Sequence, residues 1–264
     1  MPERRKSKSK PAQKSAGSRA TSVRSDSAAD PALIGELVVA NRILFHQGVV
    51  DGFGHVSVRH PKRPDRYLLA RSMAPALVGA GDIMDFDLDG TTVGSDQRTP
   101  YVERFIHGEI YRARPDVVAV VHSHSPAVIP FGVVRSAPLR PIFHMAGFLG
   151  GDAPIFEIRE TAGPASDMLI RDQKLGAALA RSLGTGAVVL MRGHGATAVG
   201  GSIRQAVFRA VYAEVNARLQ MEAMRLGPVV YLSEGEAATA AANIAKHIDR
   251  AWDMWKMQAM GAKR

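Results

Sequence analysis

The sequence predicts an α/β domain of two or three layers in which several neighbouring strands run antiparallel. Three observations lead there. The 264-residue chain is long enough for one large core, and a chain of this size buries roughly three quarters of its unfolded surface without cross-links. Short β-branched runs alternate irregularly with helix-length segments, so the pattern is not a regular βαβ repeat. Cysteine is absent. That removes disulfides, thiolate metal sites, iron–sulfur clusters and a cysteine nucleophile, and it fits a reducing compartment, with the cytoplasm as the expected location.

The elements follow in order. Residues 1–30 hold eight Lys/Arg against three acidic residues and almost no large apolar side chain. Such a segment cannot offset its ordering entropy, so a disordered basic tail is expected. Residues 31–47 place Leu33, Leu37, Ile43 and Leu44 at helical spacings, with Asp30 or Pro31 at the start. His55–His60 alternates as a strand, and Tyr67–Ala70 and Ile83–Leu88 read as two more, the last running into a Leu88-Asp89-Gly90 turn. Residues 101–113 form a helix stopped by Pro115, and Val117–Ser123 is a buried strand. Residues 126–134 begin a helix or turn, and 140–158 mix strand and loop. Residues 172–183 form a helix ending at Gly184, and Ala187–Met191 is a second buried strand that runs into a Gly-His-Gly loop. Ser202 is an N-cap for a long helix to Leu226. A last helix over 236–258 carries Ile244, Ile248, Trp252 and Trp255 on one stripe.

The net charge of +9 is uneven: +5 lies in residues 1–30 and +4 in the rest. The body is only mildly basic, so nucleic acid is not an expected partner. No stretch approaches about 18 consecutive apolar residues, so no membrane span is expected. No Gly-x-Gly-x-x-Gly, Walker-type or Gly-x-Ser-x-Gly loop joins a strand to a helix, which leaves nucleotide binding and a serine elbow without support.

The histidines carry the chemistry. His122-Ser123-His124 ends the buried run Val117–Val121. Residues i and i+2 of a strand share a face, about 6–7 Å apart at Cα, so their imidazoles can chelate one ion. Met191-Arg192-Gly193-His194-Gly195 ends the other buried strand, with glycines that let the backbone come close to a neighbour. His122, His124 and His194 therefore suggest a three-histidine site. Neutral imidazole suits zinc, manganese, iron or cobalt, and three protein ligands leave a position for substrate. Glu103, His107 and Tyr111 fall on one face of the 101–113 helix. The spacing leaves Glu103 open between a fourth ligand, a base beside the metal, and a surface residue paired with Arg104 or Arg112.

Residues 103–117, 119–125 (Ala-Val-Val-His-Ser-His-Ser) and 191–196 (Met-Arg-Gly-His-Gly-Ala) resemble the class II aldolase/adducin family. Asp51–Arg59 resembles that family's substrate loop, which makes His55 and Ser57 expected substrate contacts. The resemblance spans about residues 33–258. It implies one three-layer α/β/α domain over residues 31–264, around a central, mostly antiparallel sheet. It implies one divalent metal ion per subunit (zinc, or manganese, cobalt or iron) on His122, His124 and His194. Glu103 becomes the acid/base that can also approach the metal. Homotetramers with sites near subunit contacts are common in this family.

The family holds sugar-phosphate aldolases, epimerases, a dehydratase, decarboxylases and non-catalytic adducin. The phosphate-holding groups of its aldolases are altered here. Gly54-His55 stands where they have Gly-Asn, and Tyr101-Val102 stands in place of a Ser-Ser pair before Glu103. A phosphate dianion needs several donors. Arg71 and Ser72 would instead suit a carboxylate. Arg71–Pro75, His122–Ser125 and His144–Gly150 are most similar to the hydroxy-aromatic decarboxylase branch, which adds His144 as a pocket residue. The resemblance thus implies a lyase that decarboxylates a small hydroxy-aromatic, or related hydroxy or keto, carboxylate through an enolate whose charge a divalent ion stabilises. A sugar or sugar-phosphate aldolase and a non-catalytic adducin-like module are the alternatives.

Overall fold

The computed structural model describes residues 30–261; the expected tail lies outside them except for Asp30. Asp30 caps the first helix, accepting from the Ala32 N–H at 2.9 Å. That helix, α1 (Pro31–His46), is followed by β1 (His55–Arg59), β2 (Arg66–Ala70) and β3 (Ile83–Asp87). Next come α2 (Arg104–Ala113), β4 (Ala119–Ser123), α3 (Ile129–Val133), β5 (Ile155–Phe156) and α4 (Arg159–Ala162). The chain closes with α5 (Gln173–Leu183), β6 (Val188–Met191), β7 (Gly195–Gly200), α6 (Ile203–Leu226), α7 (Glu234–Ile244) and α8 (Ile248–Ala259).

The seven strands form one sheet in the order β3-β2-β1-β4-β7-β6-β5. Every pairing is antiparallel except β5 with β6. Alternate residues of each strand feed two separate cores. Val56, Val58, Val121, Ala198 and Leu190 pack under α1, α6 and α8. Tyr67, Leu69, Val120, Val189 and Met191 pack under α2 and α5. A sheet buried on both faces is a three-layer α/β/α sandwich, as the resemblance implied. His55, Ser57 and His122 alternate with the valines and so face the α2 side.

Four details differ from the sequence reading. The second helix begins at Arg104, with Glu103 at the N-cap position; the Arg104 guanidinium binds the Tyr101 and Gly90 carbonyls and holds the entering backbone out of helical form. The segment read as loop after His194 is strand β7, central in the sheet. Its small residues hid it: Ala196 and Ala198 share one core cluster with Ala206 and Ala210 of α6, and a Cβ at Gly200 would collide with the Ala206 backbone. The last helix is two, α7 and α8, joined by a 3₁₀ turn at Ala245–His247, although Trp252 and Trp255 are buried as the stripe predicted. Within 140–158 a 3₁₀ turn (His144–Leu149) carries α7 on its outer side. Ser202 caps α6 as expected, accepting from the Gln205 N–H at 3.1 Å. Among the described residues no helix is long and apolar enough to cross a membrane.

Candidate metal centre

The strand order assembles the site. His55 lies opposite His122 across the β1–β4 ladder, with ring centroids 5.1 Å apart. Gly54 delivers His55 from a left-handed turn (φ +93°) that glycine adopts without steric cost. Because β7 runs antiparallel to β4, the β6–β7 turn arrives beside the end of β4, with Ser123 opposite Ala196. His124 and His194 thereby meet, their Nε2 atoms 3.0 Å apart. A Cβ at position 195 would collide with the Ser123 carbonyl, so the approach needs Gly195. Glu103 reaches in from the start of α2. Its Oε2 lies 3.4 Å from His122 Nε2 and 3.5 Å from His194 Nε2. Its Oε1 accepts from the Ile170 N–H at 3.0 Å.

Glu103, His122, His124 and His194 each direct one donor atom at a common point, all within 4.8 Å of one another. Two observations fit a divalent cation. His122 has no exposed surface, and neither of its ring nitrogens has a hydrogen-bond partner among the described residues. Buried polar atoms are rarely left so, and a cation would satisfy Nε2. The His194 Nδ1–H donates to the Met168 carbonyl at 2.9 Å, so Nε2 presents its lone pair inward. The electrostatics agree. Burial, then the neighbouring His122 and His194, lower His124 to about 4, so it is neutral at physiological pH. Burial works to raise the Glu103 carboxyl, but His122 and His194 outweigh it and hold it well below the usual carboxylate range. A neutral His124 and an ionised Glu103 are protonation states that a metal site requires.

Behind the cluster runs a buried polar chain that joins two expected substrate contacts, His55 and Ser57, to His107 and Tyr111 on the Glu103 face of α2. His55 Nδ1 shares a hydrogen bond with His107 Nε2 at 2.7 Å. His107 Nδ1 meets Ser57 Oγ at 2.6 Å, and Ser57 Oγ meets the Tyr111 hydroxyl at 2.8 Å. Burial lowers His107 to about 3 and carries His55 well below its ordinary range, the latter helped by His107 and His122. The i, i+4, i+8 spacing of Glu103, His107 and Tyr111 was the available signal; what it lacked was the facing strand.

The remaining expected contacts separate. Ser57, an expected substrate contact, lies in the interior: it has no exposed surface, and its hydroxyl is committed to His107 and Tyr111. His55 is almost buried, its ring beside His122 and 4.5 Å from that of Tyr101. Tyr101 in turn donates to the Met73 carbonyl, which ties the loop after β2 to this side of the site. Arg71 pairs with Asp82 at 2.7 Å and is partly exposed, and Ser72 is exposed. His144 is not brought to the cluster. It opens onto a cavity of about 380 Å³ lined by Phe208, Tyr212, Ile244 and Arg250, because the 3₁₀ turn that carries it lies against α7.

Comparison with known proteins gives consistent matches. Residues 35–221 match the family described as Class II Aldolase and Adducin N-terminal domain. The chain is 39% identical over 236 residues to Decarboxylase tropJ of Talaromyces stipitatus, covering 81% of this chain and 88% of that one. It is 32% identical over 206 residues to the 3,4-dihydroxyphthalate decarboxylase of Arthrobacter keyseri, covering 72% and 78%. L-fuculose 1-phosphate aldolase from Glaciozyma antarctica superposes with a TM-score of 0.70 over 87% of this chain and 90% of its own, at 22% identity, a likeness of fold.

Proposed function

Because the chain belongs to the class II aldolase and adducin family, we propose that it is a divalent-metal-dependent decarboxylase of hydroxy-aromatic carboxylates. The observation that carries this reading is the convergence of Glu103, His122, His124 and His194 on one point. The two decarboxylase relatives, each aligned over more than two thirds of both chains, support the reaction class. A non-catalytic module would have no use for a buried, unpartnered imidazole facing a carboxylate.

In this reading His122, His124 and His194 hold the ion. A divalent cation bound there supplies Lewis acidity toward the oxygen that gains negative charge as the carbon–carbon bond breaks. Glu103 moves the proton. With Oε1 pinned by the Ile170 N–H, the carboxyl pivots about a fixed oxygen and offers Oε2 to the reacting carbon. Ionised in the resting site, Glu103 first takes the proton of the substrate hydroxyl and then delivers it to the ring carbon; the electrons of the broken carbon–carbon bond pass into the ring, the carboxylate leaves as CO₂, and the phenolate product takes a proton from solvent. His55, its Nδ1 committed to His107, turns Nε2 toward substrate as a hydrogen-bonding group. Arg71 keeps guanidinium N–H groups beyond those facing Asp82 and, with Ser72, receives a substrate carboxylate. Exposed Phe53, Val102 and Val133 stand near His124, Glu103 and the His194 turn. An apolar rim of this kind suits coverage by a neighbouring subunit, so a homotetramer belongs to the same proposal.

The test is a panel of ortho-hydroxy aromatic carboxylates and sugar phosphates offered to metal-loaded protein, with CO₂ and aldehyde both measured. CO₂ release from an aromatic acid is expected. Aldehyde release from a sugar phosphate, without CO₂ from any acid, would overturn the reading in favour of an aldolase.

A further inference from the structure

Met168 is the single non-glycine residue with positive φ among the described residues, at +73°. A side chain in this region carries steric strain and persists only where surrounding contacts over-determine it. Those contacts are present. The Met168 N–H donates to Ser166 Oγ at 3.0 Å, and the Leu169 N–H to Asp167 Oδ1 at 3.2 Å. Asp167 is ion-paired with Arg171, and Ile170 is fully buried. The turn has two outputs: the Met168 carbonyl accepts the His194 Nδ1–H, and the Ile170 N–H holds Glu103 Oε1. One short segment, far in sequence from both, thus grips two of the four converging donors from behind.

We propose that the turn over residues 166–170 is the positioning element of the metal centre, and that the left-handed conformation of Met168 sets both the His194 tautomer and the Glu103 orientation. The inference rests on the proposed metal centre and adds a residue outside it. With φ in the usual negative range, the peptide planes on either side of Met168 would rotate, and the carbonyl and the Ile170 N–H could not both face the cluster. His194 would then be free to place its proton on Nε2, which cannot bind a cation, and Glu103 would lose its anchor. Partners behind a metal ligand are commonly worth about 10–100-fold in affinity.

The experiment measures Zn²⁺ affinity by competition with a chromogenic chelator, and the visible absorption of the Co²⁺ form, in three full-length proteins. Met168→Val strongly disfavours the left-handed conformation; Met168→Gly accepts it freely. The expected result is a loss of about 10–100-fold in Zn²⁺ affinity with an altered Co²⁺ spectrum for Met168→Val, and affinity and spectrum close to the unaltered chain for Met168→Gly. Equal binding by all three overturns the proposal. So does an equal loss in both variants, which would assign the effect to the side chain. If Met168→Val does not fold, Ser166→Ala decides: it removes the acceptor for the Met168 N–H, and weaker binding supports the proposal while unchanged binding overturns it. If the unaltered chain itself fails to bind Zn²⁺ or Co²⁺, the metal centre falls, an outcome distinct from failure of the turn.

Discussion

Glu103 is the residue on which the proposed chemistry turns. Its two oxygens do different work, one held by a backbone amide and the other facing two imidazoles. Glu103→Gln keeps the shape and an acceptor for the Ile170 N–H but cannot carry the proton. Turnover is expected to fall by roughly 10²–10⁴, with metal content, read by elemental analysis, remaining near one ion per subunit. Parallel loss of metal and activity, restored by added metal, would instead make Glu103 a ligand only. His107 is the second residue with a measurable consequence. Burial moves it from an ordinary 6.5 to about 3. Between those values the unfolded chain binds a proton that the folded chain refuses, so the folded state is favoured above about pH 6.5 and loses that advantage as pH falls toward 3. His107→Leu leaves His55 and Ser57 without their shared partner and should cost about 1–3 kcal/mol at neutral pH. It should also flatten the acid limb of a denaturant-midpoint profile; a limb as steep as before would show that other groups drive acid unfolding.

At the scale of elements, the site depends on how β4, β7 and α6 are tied together. The loop that leaves His124 is fastened to α6 by Glu214, a buried carboxylate that accepts from Ser125 Oγ at 2.5 Å and the Ala127 N–H at 2.9 Å, with Arg218 at 2.9 Å. The same helix holds the 138–142 segment through Asn216 and Gln220, which pair with the main chain of Arg140, Ile142 and Pro138. Glu214→Ala strands two buried donors, and a destabilisation of about 1–3 kcal/mol is expected from chemical denaturation. Because the released loop begins at His124, Zn²⁺ affinity should fall as well. Unaltered affinity in a destabilised Glu214→Ala protein would show that the β4–β7 ladder alone positions His124.

For the whole molecule, the cluster joins three segments far apart in the chain: the start of α2, the end of β4 and the β6–β7 turn. An ion bound by all of them stabilises the folded state by mass action, about 2.7 kcal/mol at a free concentration one hundred times the dissociation constant. Chelation should lower the melting temperature by about 5–10 °C for a domain of this size, and Zn²⁺, Mn²⁺ or Co²⁺ should restore it in the order of their affinities. A melting curve indifferent to chelator and to added metal would remove the cation from the account.

The sequence by itself determined the composition of the site and most of the frame. Val117–Val121 and Ala187–Met191 are β-branched enough to read as buried strands, and a histidine of the candidate site follows each, His122 directly and His194 after a short turn. Helix limits at Asp30, Gly184 and Ser202 were legible because caps are local chemistry. Other features were decided only by the tertiary structure. β7 is a strand by virtue of its two neighbours, and its alanines and glycines are the residues a helix packed on a central strand requires. His107 and Tyr111 became a hydrogen-bonded chain only when β1 laid Ser57 and His55 against them. Met168 carries no mark in the sequence, since a left-handed residue other than glycine is stabilised by contacts from elsewhere. His144 left the expected site because the turn that bears it lies under α7. Periodicity and capping act within a few residues and survive in the sequence, whereas register, strand order and the burial of polar groups are set by pairs of segments far apart in the chain.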